Sequence, residues 1–183
     1  FGHSIFGLFN NAGLQGQIAP LYDTDPAQFQ KVIDVNVMGA YRVIHAVTTF
    51  MKDNAMKGAV VGTASTAAGG VPNMCAYAMS KAAMHALTGT ASKDLAPFGI
   101  RVNSIAPGHL GGSMWDTKTE AQAKLHTQYW PHGDAKAVGE AMLKKVPMRR
   151  AGSAEEVSNV VAWLLSDEAS FITGENVRIS GGE

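Results

Sequence analysis

Four short apolar runs, each closed by a turn and each separated from the next by a helical stretch, restrict this 183-residue chain to few architectures. Residues 5–9 form the first run and end in Asn10-Asn11-Ala12-Gly13. Residues 59–61 form the second and lead into small residues around Ser65. Residues 100–106 are closed by Pro107-Gly108, and residues 177–179 make the last. Between them, Asp25-Pro26-Ala27-Gln28 reads as a helix start, with capping-box spacing and proline in the first turn. Phe29, Ile33, Asn36, Ala40, Val43 and Val47 then recur on one stripe. A second helix is expected over 75–96, stopped by Pro97 to Gly99. Ser153-Ala154-Glu155-Glu156 is another capping box, opening a helix with Val157, Val160, Val161, Leu164 and Leu165 on one side. Residues 109–134 read as irregular, although they hold Met114, Trp115, Tyr129 and Trp130. Strands alternating with helices predict an α/β fold, a single domain over 1–183 built on an open, doubly wound parallel sheet with right-handed crossovers. Ligands in such sheets sit beyond the carboxyl ends of the strands, where the turns at Gly13, Ser65 and Gly108 all fall.

Composition removes several function classes. Fifteen Lys and Arg balance fifteen Asp and Glu, so no net charge draws the chain to nucleic acid or an anionic membrane. Hydrophobic residues make up 46% of the chain, enough for one buried core. Cys75 is the sole cysteine, which excludes an intrachain disulfide and points to a reducing compartment. No apolar run approaches a membrane span and no basic-then-apolar leader opens the chain, so a cytoplasmic location is expected.

Tyr77-Ala78-Met79-Ser80-Lys81 places a phenol and an ammonium one helical turn apart, on one face. Spacing alone also fits an exposed helix with an aromatic and a solvated lysine. Ser65 closes a strand twelve positions earlier, at the same sheet edge. Asn36 puts an amide on an apolar stripe, where it needs partners. Asn11-Ala12-Gly13 closes another strand with a permissive glycine. Taken singly these fit a turn serine, a buried amide and a turn glycine; together they converge on one crevice.

Asn10-Asn11-Ala12-Gly13, Val35-Asn36-Val37, Ala64-Ser65-Thr66, Tyr77 to Lys81, the run from Arg101 to Gly108, and Gly181-Gly182 follow one another in the order found in short-chain dehydrogenases/reductases. The chain resembles that family from end to end. The resemblance implies a Rossmann-type fold, present as its C-terminal portion, and hydride exchange between NAD, or alternatively NADP, and a small-molecule alcohol or ketone. It implies Tyr77 as general acid/base, Ser65 as donor to the substrate oxygen, and Asn36 as holder of a relay water. Lys81 is expected to hold the nicotinamide ribose and, together with the positive nicotinamide ring, to favour the phenolate, a bias of roughly two to three pKa units or about 3–4 kcal/mol. Asn11, Ala12 and Gly13 would line the adenosine side of the cofactor; Tyr77, Lys81, Pro107, Gly108 and Leu110 its nicotinamide side. No metal is implied, and a homotetramer or homodimer is.

Departures from the family pattern accompany the match. The chain is expected to start at the family's fourth strand, without the glycine-rich turn that receives the pyrophosphate or the residue that selects NAD over NADP, leaving one sheet edge bare. Ser65 stands one residue closer to Tyr77 than the family pattern, which makes Thr66 a fallback hydroxyl. Glycine stands where a threonine is usual after Pro107-Gly108, and Ser180 where an aspartate is common. The loops at Phe9 to Gly16, Pro72 to Met74, Gly111 to Trp115 and Val146 to Arg150 resemble those of bacterial NAD-dependent xylitol dehydrogenases, implying a polyol substrate. Gln15 and His109 are candidate polar partners for it, with Trp115 and Tyr129 as walls; a lid packed on the body also accounts for Trp115, Tyr129 and Trp130. Lys144, Lys145, Arg149 and Arg150 would suit a ketoacyl reductase using NADP, or form a solvated helix end. Small residues at Ala78, Ala82, Ala86 and Gly89 suit close packing between subunits, in an enzyme or in a non-catalytic remnant.

Overall fold

Short apolar runs, buried on both faces at the centre, make the sheet. In the computed structural model, which describes residues 4–126 and 133–183, four strands pair in parallel in the order β1-β2-β3-β4. They are β1 (Gly7–Asn10), β2 (Gly58–Thr63), β3 (Ile100–Pro107) and β4 (Asn176–Ile179). Each of the four expected runs becomes a strand, with ends shifted by one or two residues. Val60, Ile100, Val102 and Ala106 face one way, against Ala40, Ile44, Met51, Met84 and Ala91. Val61 and Ile105 face the other, against Val157, Val161 and Leu164. Period-two alternation thus splits the core between the two faces of a doubly wound sheet. β1 stands at one edge of the described sheet, with Phe6 78% exposed beside it.

The expected first helix is interrupted. α1 (Pro26–Ile33) passes through a widened π turn, Asp34–Gly39, into α2 (Ala40–Asp53). Two β-branched valines flank Asn36 there, a poor helical run, and a π turn inserts one extra residue. The buried stripe therefore runs Val32, Asn36, Ala40, Ile44, Thr48, Met51, while the expected Val43 is 44% exposed. Asp25 caps α1 through the Ala27 N–H at 2.8 Å instead of the reciprocal box with Gln28. Ser153 and Glu156 do form the full box at the start of α6 (Ala154–Leu165).

Residues 109–134 are not irregular throughout. They contain α4 (Ser113–Leu125), which packs on α5 (Ala135–Leu143). Its composition is rich in Lys, Glu, Gln, Ala and Leu, so propensity forms a helix whose apolar stripe is too weak to show as periodicity. Tyr129 and Trp130 lie outside the described residues.

The run from Arg101 to Asn103 fixes how the chain returns to the sheet. Arg101 donates to Leu164 O at 2.8 Å and Ser166 O at 2.9 Å, the orphan carbonyls at the end of α6. Asn103, fully buried, donates to Ile172 O and accepts from Glu175 N, setting the register of β4. Arg101→Ala should cost about 2–3 kcal/mol in a denaturant-melt comparison, and Lys at this position should recover less than half. A loss below about 0.5 kcal/mol would make the clamp incidental.

Candidate active site

The catalytic-side loop is built where β2 runs out. Ser65 is extended and accepts from Ala67 N at 3.1 Å, starting a tight 3-10 turn over Thr66–Gly69. Gly70 at φ +102° then turns the chain toward α3 (Cys75–Leu95), a conformation that disfavours any side chain. This turn absorbs the shortened spacing: the Ser65 hydroxyl stands where it favours ionisation of the Tyr77 phenol, and it donates to Pro107 O at 3.5 Å. Ser65, rather than Thr66, is the hydroxyl at Tyr77.

Lys81 follows one turn later and is 6% exposed. Its ammonium donates to Thr63 O at 2.7 Å and lies 5.5 Å from the centre of the Tyr77 ring. Burial lowers the Lys81 pKa to about 8. Burial also pushes the Tyr77 phenol above its ordinary value, against the smaller opposing effect of the Ser65 hydroxyl. In the protein alone, with the ammonium over the ring, desolvation of the phenolate outweighs what favours it.

Asn36 is 3% exposed in the π turn. Its Oδ1 accepts from Leu14 N at 2.7 Å, and its Nδ2 donates to Leu14 O at 2.8 Å and Ser80 Oγ at 3.0 Å. Ser80 in turn donates to Tyr77 O at 2.7 Å. The side chain is a strut from the loop after β1 to the Tyr77 helix, with both amide protons engaged. Ser80 and Thr63 were not among the sequence candidates. A hydroxyl on the buried face of α3, within reach of an amide that needed partners, was the signal for Ser80.

Asn11 Oδ1 accepts from Thr63 Oγ1 at 2.9 Å, joining the ends of β1 and β2. Ala12 is exposed beside it. A Cβ on Gly13 would stand 3.3 Å from Asn36 Oδ1 and 3.6 Å from Lys81 Nζ, so glycine keeps the flank of the ammonium open. On the other side, Gly152 N donates to His109 O and Gly111 N donates to Gly152 O, a parallel bridge around Leu110. In such a bridge the neighbours make the bonds, which turns the N–H and C=O of Leu110 itself away from it. Asn11, Gly13, Asn36, Ser65, Tyr77, Lys81, Pro107 and Leu110 thus surround the carboxyl ends of β1, β2 and β3.

Farther out, the His109 ring packs 5.1 Å from Trp115, and its Nε2 is 3.5 Å from a Glu183 carboxylate oxygen. Burial, Lys118 and Lys145 hold His109 below its ordinary pKa, against Glu183. Trp115 also meets α5, since a Cβ on Gly139 would lie 3.4 Å from its Cζ2. That contact packs α4 on α5. Of the expected basic patch, Arg150 is committed to a bidentate pair with Glu156, at 2.6 and 2.9 Å, and Arg149 donates to Lys144 O. Among the described residues no three His, Cys, Asp or Glu side chains form a metal-ligand set, and no helix is long and apolar enough to cross a membrane.

A family model described as enoyl-(acyl carrier protein) reductase matches residues 2–183. Levodione reductase of Leifsonia aquatica is 36% identical over 180 residues, covering 98% of this chain and 64% of that protein. A 3alpha-hydroxysteroid dehydrogenase of Mediterraneibacter gnavus is 33% identical over 95% of this chain and 63% of its own length. The chain thus spans somewhat less than two thirds of these relatives. The crystal structure of an NAD+-bound xylitol dehydrogenase superimposes with a TM-score of 0.92 at 48% identity, over 98% of this chain and 69% of that one. The sheet order, the Ser65–Tyr77–Lys81 arrangement and these likenesses agree: the chain belongs to the short-chain dehydrogenase/reductase family.

Proposed function

We propose that this chain carries the catalytic half of an NAD(P)-dependent oxidoreductase that interconverts a secondary alcohol and a ketone, with a polyol such as xylitol as substrate and NAD as cofactor. The observation that carries the reading is the phenol of Tyr77, near Ser65, with the Lys81 ammonium 5.5 Å from its ring and open space kept beside it by Gly13. Residues 1–183 act as one unit, the C-terminal portion of the doubly wound fold.

The residues present suit the nicotinamide end of the cofactor. Lys81 keeps two N–H donors beyond its bond to Thr63 O, suited to a ribose diol. Leu110 offers an outward N–H and C=O, suited to a carboxamide. When bound, the nicotinamide supplies or accepts the hydride. The chain does the rest: Tyr77 exchanges the alcohol proton at its phenol oxygen, and Ser65 donates to the substrate oxygen as charge develops there. Asn36 anchors both loop and helix while a relay water connects Lys81 to solvent. Burial raises Tyr77 in the protein alone, so the positive charge of a bound oxidised nicotinamide would favour its phenolate.

Assembly as a homotetramer or homodimer is supported by exposed apolar residues on α2, α3 and the π turn before α2. Val35, Met38, Tyr41, Val43, Phe50 and Met79 are exposed there, beside Ala82 and Ala86. Ala78, expected on that face, is buried instead. The ketoacyl reductase reading using NADP is weakened by the commitment of Arg150 to Glu156.

Purified full-length protein should reduce NAD with xylitol and prefer NAD to NADP; turnover of neither polyols nor other secondary alcohols would overturn the reading. Ser65→Ala should lower kcat by roughly 10²-fold, whereas Thr66→Ala should change it by less than about twofold. The reverse pattern would move the oxyanion role to Thr66.

A further inference from the structure

Among the described residues, Asn73 is one of three non-glycine residues with positive φ, at +65°. Asparagine tolerates that left-handed region better than most residues. It stands two residues before α3 and four before Tyr77. Its carbonyl accepts from Ala19 N at 2.9 Å, holding the loop that follows β1. Its side-chain Nδ2 donates to Gln122 Oε1 at 3.3 Å and lies 3.1 Å from His126 Nε2, both at the C-terminal end of α4. Gln122 is buried, so the contact is not a surface accident. One residue therefore ties together the post-β1 loop, the start of the Tyr77 helix and α4. At the other end of α4, Trp115 rests on His109, next to the site.

We infer that Asn73 is a positioning residue that couples the placement of α4 to that of Tyr77, so that closing α4 over substrate sets the phenol. The inference rests on the oxidoreductase reading for its kinetic consequence, but the coupling itself is physical. Two requirements select asparagine at this position: a backbone that accepts φ near +65°, and an amide that donates to Gln122 on α4 and reaches the His126 ring at its end. Glycine meets the first and not the second. That separation makes the test clean.

The experiment compares full-length wild type with Asn73→Gly, Gln122→Met and the double variant. Hydrogen exchange is read at α4 and at residues 75–79, cofactor affinity by fluorescence titration, and KM and kcat with the alcohol. Asn73→Gly should raise exchange roughly 10-fold in both segments together, with cofactor Kd changed less than about twofold. KM for the alcohol should rise roughly 10-fold, with kcat falling less. Gln122→Met should reproduce the pattern, and the double variant should be no worse than the stronger single one. Faster exchange in α4 alone, fully additive variants, or an unchanged KM in an active enzyme would overturn the coupling. If wild type shows no alcohol turnover, the oxidoreductase reading fails by itself, and the paired exchange still decides the clamp.

Discussion

Tyr77→Phe is expected to lower kcat with alcohol and cofactor by roughly 10³-fold while leaving cofactor Kd within about twofold of wild type. Phenylalanine keeps the half-buried ring between its neighbours and removes only the phenol oxygen near Ser65. The cofactor groups assigned to Lys81 and Leu110 are untouched, so binding and turnover should separate. Steady-state rates and a fluorescence titration on the same preparation measure both. Turnover within tenfold of wild type would remove Tyr77 from the chemistry. A parallel collapse of cofactor affinity would instead make its role one of binding.

Lys81→Met should do two opposite things: abolish turnover and stabilise the cofactor-free protein at pH 7. Lys81 titrates near 8 in the fold and near 10.5 when free. Between those values the unfolded chain holds a proton that the folded chain has released, so unfolding free energy rises with pH across that window. Below about 8 both states are charged, and the fold bears the whole cost of burying an ammonium, up to about 3 kcal/mol. Methionine fills the same space without that charge, while the Thr63 carbonyl left without its donor takes back about 1 kcal/mol. A net gain of about 1–2 kcal/mol at pH 7 is expected, shrinking toward pH 10.5. Thermal melts of both proteins from pH 7 to 10.5 check the sign. A variant less stable at pH 7 would show that the ammonium, with its bond to Thr63, supports the fold. Such a conflict between stability and function is the mark of a site kept for chemistry.

The strands were legible because each is a short apolar run, buried on both faces in the two central strands, and because turns punctuate their carboxyl ends. The Tyr77–Lys81 pairing was legible because helical geometry puts residues four apart on one face. Ser65 was legible in spite of its shortened spacing, since a glycine was available to turn the loop back. Local rules failed at α1 and α2, where the π turn slid the buried stripe from Val43 to Ile44. They failed again at α4, where good helix-forming residues carry no strong apolar stripe, and periodicity therefore missed a helix that propensity supports.

What the sequence determined by itself was what near neighbours decide: element type, the parallel α/β order, and which side chains share a helical face. The tertiary structure alone decided what those side chains meet. Asn36 finds Ser80 forty-four residues away, Asn73 finds Gln122 forty-nine away, and Lys81 finds the carbonyl of Thr63 at the end of a strand. The direction of the Tyr77 shift was decided there too. Spacing gives the distance between a phenol and an ammonium along a helix, but the energy of ionising either depends on how much water the rest of the fold removes.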